Sequence, residues 1–415
     1  MPQRIETRCC ISGGGPAGMM LGLLLARCGI DIVVLEKHGD FLRDFRGDTV
    51  HPSTLEIMHE LGLLQAFLQR PHDKAYQLSV AIAGQQWLVA DFSHLRQRCN
   101  YIAMMPQWDF LDFLHDQARS YPNFRLLRNA EVTDLIQDND RVKGVRAQTS
   151  DGPLLVHADL VIGADGRHSA VRKAAGMAVC DLGAPIDVLW MRMPTAAEDP
   201  VTTGGRLGNN RFFIMIHRGH YWQCAYVIPK GGFEALRTQG LAKFHAALAE
   251  VAPMLADRVD TLQSWDDIKL LSVTVDRLKQ WWQPGLLCIG DAAHAMSPIG
   301  GVGINLAIQD AVASANILSS ILQRAVVDQQ QLTVLLRQVQ QRRLFPVRVI
   351  QAAQVAIQNR VLLPTLQRRN PRLDAPWPIR LLKHFPLLQR IPAYVIGIGV
   401  RAEHVAPAIR GRAGH

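Results

Sequence analysis

The chain opens with runs of apolar residues whose lengths alternate. Arg8 to Ile11 is a short apolar strand that ends in Ser12 and the turn GGGPAG. Met19 to Cys28 then has the length and composition of a buried helix, and Ile30 to Leu35 (IDIVVL) those of a buried strand. Strand, glycine turn, helix and strand in so short a stretch predict a βαβ unit on a parallel sheet. Residues 53–68 predict a helix capped by Ser53, with Glu56 three positions on. Residues 77–92 read as a hairpin turning at Ala83-Gly84-Gln85, 110–120 as a helix, and 123–165 as a meander. From 180 to 275 the character becomes antiparallel, with FFIMIH and YWQCAYVI flanking Arg218-Gly219-His220. The second strand puts Tyr221, Gln223 and Ala225 on one face and Trp222, Cys224 and Tyr226 on the other. Alternation alone leaves open which face meets a binding cavity. LLCIG (286–290) resumes the buried parallel pattern, and beyond 304 the chain is mostly helical, with prolines punctuating 364–392. The glutamine-rich run DQQQLTVLLRQVQQRR keeps helical spacing.

Composition changes this picture little. A chain of 415 residues is long enough for two or three structural units. No apolar run reaches the roughly 20 residues that span a bilayer, and the N-terminus passes straight into a strand, so a cytoplasmic location is expected. Seven scattered cysteines without a CxxC pair predict reduced thiols, and the histidines form no HExxH, so no metal is expected. Charge is the exception. From Ile321 to His415 there are 15 Lys+Arg against 3 Asp+Glu, so the formal +9 of the chain comes from its last quarter.

Three glycine sites carry the candidate chemistry. In Gly13-x-Gly15-x-x-Gly18, the first two glycines allow a tight turn and close approach of a pyrophosphate, and the third lets helix pack on strand. Glu36 ends the second strand, where a carboxylate can accept bonds from a ribose diol, which suits FAD or NAD better than NADP. The second site is Ala164-Asp165-Gly166-Arg167, closing the strand LVIGAD. In the third, GDAAHAMSPIGGVGINLAIQDA (290–311), Asp291 follows a buried strand, where a bare carboxylate needs partners such as polyol hydroxyls. Gly300, Gly301 and Gly303 let backbone approach a flat ligand, and the helix from about Ile304 aims its positive end there.

In this order and spacing, over roughly residues 5 to 350, the three sites closely resemble the FAD-dependent group A aromatic hydroxylases, the para-hydroxybenzoate hydroxylase family. The resemblance implies an α/β fold: a glutathione-reductase-like FAD-binding Rossmann domain with an inserted antiparallel-sheet substrate domain and a helical C-terminal region. It would divide the chain into an FAD-binding domain (1–72, 99–179 and 276–330), a substrate-binding sheet domain (73–98 and 180–275) and a basic helical region (331–415). By the same similarity Gly13, Gly15, Pro16, Ala17 and Gly18 would cradle the FAD pyrophosphate, and Glu36, with Lys37 beside it, would hold the adenosine ribose. DFRGDTVHP (44–52) resembles the family's arginine loop, with Arg46 and Gly47 near the cofactor. Gln107 would contact the cofactor at a helix start, and Val132 would lie on a strand passing the adenine. Asp165 and Gly166 match the family's DG motif, and Asp291 would bind ribitol. Pro298 would lie beside the isoalloxazine, and Gly301, Gly303, Ile304 and Asn305 along its pyrimidine edge. His294 is read as a packed, hydrogen-bonded residue, and no catalytic base is assigned.

The implied reaction uses NADPH or NADH to reduce FAD and molecular oxygen to form a flavin hydroperoxide, which hydroxylates an aromatic or polycyclic, apolar small molecule. A flavin-dependent dehydrogenase or reductase of a lipophilic substrate carries the same motifs. Flavin halogenases do as well, but their Trp-x-Trp-x-Ile-Pro motif is absent: Gln283 follows Trp281-Trp282. The basic tail offers a reading of another class, membrane or nucleic-acid binding. No RNA-binding signature accompanies it, so no nucleic acid is expected. Peripheral membrane contact through PWPIRLLKHFPLLQRIPAYVIGIGVR stays open beside a packed C-terminal cap.

Overall fold

The computed structural model describes residues 2–42, 49–82, 85–199, 203–367 and 377–411. Arg46 and Gly47, and the hairpin tip at Ala83-Gly84, lie outside the described residues. The first half of the chain gives β1 (Gln3–Ser12), α1 (Pro16–Arg27), β2 (Ile32–Leu35), α2 (Pro52–Glu60), β3 (Gln77–Ile82) and β4 (Gln85–Asp91). Next come α3 (Gln107–Ala118), β5 (Phe124–Leu127), β6 (Glu131–Asp138), β7 (Arg141–Thr149) and β8 (Gly152–Gly163). The strands β9 (Ile186–Pro194), β10 (Gly204–Gly208), β11 (Arg211–His217) and β12 (Tyr221–Pro229) follow, then α4 (Leu241–Val251), β13 (Lys269–Leu271) and β14 (Leu286–Cys288). Four helices complete the main elements: α5 (Gly303–Leu322), α6 (Gln329–Ile357), α7 (Trp377–His384) and α8 (Arg390–Gly397).

Two sheets organise these elements. The first has the parallel order β14-β8-β1-β2-β5, and β7 pairs antiparallel with β8. β8 is long because it serves two partners on one side: residues 152–157 pair with β7, and 161–163 with β14. β5 was expected within the meander, yet it pairs parallel with β2. Cys9, Cys10 and Ile11 of β1 are fully buried, as are Met19, Met20, Leu21, Leu23, Leu24 and Leu25 of α1. An all-round apolar helix needs cover on every side, and α1 has it from the sheet, α3 and α5. Each such leucine contributes about 1.5–3 kcal/mol by leaving water.

The second sheet runs β13-β9-β12-β11-β10-β3-β4 and is antiparallel except where β10 lies parallel to β3. Its back face (Leu189, Met191, Phe213, Met215, Trp222, Cys224 and Tyr226) packs against Phe244, Leu248 and Val251 of α4. Its front face turns towards the first sheet's loops. There Val188, Ala225 and Val227 cluster with Ile299 and Leu362, and Ile216 with Met104 and Ala393.

One predicted helix is divided. Residues 53–68 form α2 and a separate short helix, Leu64–Leu68, with Gly62 at φ 74° between them. Ser53 does not cap α2; His51 is the N-cap, because Pro52 supplies the first helical residue. The glutamines of α6 have a structural use. Gln340 bonds Lys279 O and Trp281 N, Gln351 bonds Asp276 O and Ala295 O, and Gln354 bonds Ser297 N, Ser297 O and Ile299 O. A row of buried amides thus satisfies backbone groups of Asp276, Lys279, Trp281, Ala295, Ser297 and Ile299.

Candidate functional site

The three glycine sites meet where β1, β8 and β14 end. Gly13 has φ 106°, and a Cβ there would lie 2.4 Å from Ala164 O and 2.8 Å from Asp165 Cα. Only glycine lets the first turn rest on the Asp165 turn. A Cβ on Gly18 would lie 2.0 Å from Gly13 O, so the third glycine sets the approach of α1 to the strand. Gly15 differs, because a Cβ there meets nothing within 4 Å. Open space therefore stands at the start of α1, where no side chain caps the helix. Its first internal bond is Met19 N to Gly15 O, which leaves the N–H groups of Ala17 and Gly18 directed outward behind Pro16.

Glu36 is buried at the end of β2. Its Oε2 accepts from Gly14 N at 2.8 Å and its Oε1 from His38 N at 3.1 Å. The carboxylate thus fastens the glycine turn to the end of β2. Lys37 beside it is exposed. Ala130 N donates to Glu36 O at 2.9 Å, which brings the start of β6 alongside; Val132 there is buried and pairs with Ala147. Gln107 opens α3 half-buried, behind Pro106 as N-cap and without a side-chain capping bond.

Asp165 accepts from Ser169 Oγ at 2.5 Å and Val171 N at 3.2 Å, and Gly166 follows it at φ 82°. Burial pushes the Asp165 carboxyl above the usual range, against the pull of these bonds. Asp291 is not a bare buried carboxylate: its side chain is 33% exposed and lies 3.5 Å from Arg167 Nη2. That pair ties the second site to the third. Arg167, though part of the quoted ADGR stretch, had no assigned role in the sequence, because nothing local marks a pair so far apart along the chain.

Gly290 joins the third site to the first. A Cβ there would be 3.2 Å from Ala17 Cβ and 3.3 Å from Ala307 Cβ. Its N–H donates to Asp310 Oδ2 at 3.0 Å. His294 Nε2 reaches the same oxygen at 2.6 Å, and Arg343 Nε reaches Asp310 Oδ1 at 2.8 Å. Arg343 also bonds Glu403 at 3.3 Å and Arg401 O. All four side chains are buried, and His294 leans on Trp281 with ring centroids 4.9 Å apart. Burial alone would raise the Asp310 carboxyl; His294 and Arg343 outweigh it and hold it below the usual range. This network was not read from the sequence, since its members come from three distant stretches.

Pro298 precedes the turn Ile299–Gly301, in which Gly300 (φ 79°) and Gly301 (φ 63°) are left-handed. A Cβ on Gly301 would be 2.5 Å from Thr49 Oγ1, and that hydroxyl donates to Gly301 O at 3.0 Å. α5 starts at Gly303 without a side-chain cap, so Gly303, Ile304 and Asn305 present their backbone N–H groups beside the turn. The Asn305 side chain points instead to α2, accepting from His51 N at 3.2 Å and Thr54 Oγ1 at 2.7 Å. His51, fully buried, bonds Ile396 O through Nδ1 at 2.7 Å, and burial lowers its pKa to about 4.

These residues fit a flavin dinucleotide. The open cradle at Gly15, two uncapped helix starts and two carboxylates with acceptor capacity match a molecule with a pyrophosphate, polyol hydroxyls and a ring that takes up negative charge. Among the described residues no cluster suited to a metal ion occurs.

Comparison with known proteins agrees. Residues 6–353 match the family model described as FAD binding domain. The chain is 34% identical over 321 residues to 6-methylpretetramide 4-monooxygenase of Streptomyces rimosus, covering 77% of each chain. It is 30% identical over 309 residues to rifampicin monooxygenase of Streptomyces venezuelae, covering 72% of this chain and 61% of that one. In fold it is similar to p-nitrophenol 4-monooxygenase of Pseudomonas putida, with a TM-score of 0.74, 18% identity, and 95% of this chain and 97% of that one covered. With the glycine cradle, the Asp165 turn and the Asp291 loop in one place, the chain belongs to the FAD binding domain family and is an FAD-dependent oxidoreductase of the group A monooxygenase class.

Proposed function

We propose that this protein hydroxylates a polycyclic, rather apolar aromatic molecule, bound between the Pro298–Gly303 turn and the front face of the second sheet. The carrying observation is the shared apolar cluster in which Ile299 of that turn meets Val188, Ala225 and Val227, with Trp190 and Ile214 packed alongside. Strand register puts Gln223 on the same face as Ala225, beside Ile216. A broad apolar wall with one buried amide suits fused rings bearing a few oxygens. The relatives named as monooxygenases of 6-methylpretetramide and of rifampicin support that substrate class.

FAD, when bound, supplies reduction by NADPH or NADH and activation of dioxygen. The chain's own residues bind and orient. The N–H groups at the start of α1 and the Glu36 carboxylate would hold the adenosine diphosphate half, and Asp291 a polyol hydroxyl. Gly303, Ile304 and Asn305 would offer backbone N–H groups to the ring, where a helix start favours negative charge. The front face of the second sheet would exclude water above it. The finer division into an inserted substrate domain at 73–98 and 180–275 belongs to this proposal.

The test supplies FAD-loaded protein with NADPH, isotopically labelled dioxygen and a tetracyclic phenol. One labelled oxygen in the product, with NADPH oxidation accelerated by substrate, supports hydroxylation. Reduction of substrate without label would replace it with the reductase reading.

A further inference from the structure

α7 and α8 each have an occupied inner face and a bare outer one. On the inner side Ile379 packs with Val80, Ile82 and Leu207, and Lys383 Nζ sits 4.7 Å above the Trp87 ring. Ala393 and Ile396 join Phe92, Ile102, Met104 and Ile216, and a Cβ on Gly397 would meet Leu95 at 3.0 Å. Ile396 also gives its carbonyl to His51. α8 therefore braces the same elements that hold the Gly300–Gly301 turn.

On the outer side Leu381 lies on α7 and Phe385 directly follows that helix, donating its N–H to Leu381 O, while Ile391 and Tyr394 share a face of α8 and Leu387 lies between the helices. Phe385 is 58% exposed, Leu387 69%, Ile391 60% and Tyr394 51%. These five are drawn from the thirteen large apolar side chains exposed among the described residues, and the others are scattered from Leu42 to Ile357. Single exposed leucines need no explanation, whereas a cluster marks a surface that is covered. Arg380 and Arg390 are exposed within the same stretch, and no Asp or Glu occurs between Trp377 and Ala402.

We propose that this outer face docks on an anionic lipid surface. Apolar side chains flanked by cations match a bilayer's interface, in which acyl chains lie beneath negative headgroups. A second copy of the chain fits poorly. A two-fold interface through this face would bring Arg380 and Arg390 towards the same cations of the second copy with no acid from the segment to offset them. Docking would present the sheet edge and the braces of the Gly300 turn to a lipophilic aromatic dissolved in the membrane. That last step rests on the proposed substrate class; the docking itself does not.

The test is co-sedimentation of FAD-loaded, full-length protein with phosphatidylcholine vesicles, with and without about one-third phosphatidylglycerol. Stronger binding to the anionic vesicles, weakened by salt, is expected. Arg380→Gln and Arg390→Gln should each lower it about fivefold. Phe385→Ser with Leu387→Ser should lower it about tenfold or more, with the flavin spectrum and melting curve unchanged. Absence of binding, or equal binding to neutral vesicles that the variants leave intact, would overturn the proposal. So would a dimer in light scattering that Leu387→Glu separates, which would assign the face to a second copy. None of these readouts uses turnover, so they are independent of the hydroxylase test.

Discussion

Replacing Asp310 by asparagine tests whether the third glycine site is held by buried charge. The carboxylate is fully buried and accepts from Gly290 N, His294 Nε2 and Arg343 Nε. Asparagine keeps the volume, removes the charge, and turns an NH2 donor towards at least one of these donors. Arg343, itself fully buried, then retains Glu403 at 3.3 Å and the Arg401 carbonyl. Removing one partner of a buried ion pair costs about 3–5 kcal/mol. Against a total of about 5–15 kcal/mol for a folded domain, the urea midpoint should fall by a fifth or more. Trp281 beside His294 offers a fluorescence reporter. Loss of the Gly290 anchor should also weaken FAD binding, read by flavin fluorescence, because Asp291 follows that glycine. Glu403→Gln should cost less, since Arg343 keeps Asp310 while Arg342, partly exposed, loses its partner to water. If Asp310→Asn shifts stability by less than about 1 kcal/mol, the value of an exposed pair, the network does not hold the turn.

Gly15→Val should fold normally, because the backbone there is extended at φ −74° and the added atoms enter open space. It should nevertheless lower FAD affinity at least about tenfold by filling the place of a phosphate; unchanged flavin retention on a desalting column would refute the cradle. His51, with its pKa lowered to about 4 by burial, remains neutral in the folded protein while the unfolded chain takes up a proton below about pH 6.5. Stability should therefore be fully present above that pH and decline towards pH 4, by about 3 kcal/mol from this residue, and His51→Gln should flatten the decline of the urea midpoint. Among the seven free cysteines Cys180 is half-buried and the others are buried, with burial pushing the Cys10 thiol up to about 12. One thiol should thus react rapidly with a disulfide reagent in the native state, and Cys180→Ser should abolish that phase.

The parts legible in the sequence were those in which local pattern and global role coincide. The Gly13 turn, the burial of α1 and the apolar strands β2 and β14 follow from short stretches whose neighbours in the chain are neighbours in space. The Ser53 capping signal failed because a stronger local constraint, Pro52 at the first helical position, moved the cap to His51. The orientation of β12 could not be read, since both its faces are apolar; α4 decides it by covering Trp222, Cys224 and Tyr226. Arg343 and Glu403 lie 60 residues apart, and no local preference pairs them.

The row of glutamines on α6 ties the loop at 297–301 to the last quarter of the chain. The match to the family model ends at residue 353, but the bonds do not: Gln354 grips Ser297 and Ile299, Gln358 reaches Ser297 Oγ at 2.6 Å, and Glu403 meets Arg343. The part that matches the family model is thus clasped by residues that follow it. A helix without these amides would leave the carbonyls of Ser297 and Ile299 without the bonds that Gln354 gives them. The last helices therefore act as a splint for the Ser297–Gly301 loop, and a change that loosens Gln354 or Gln358 would be felt there.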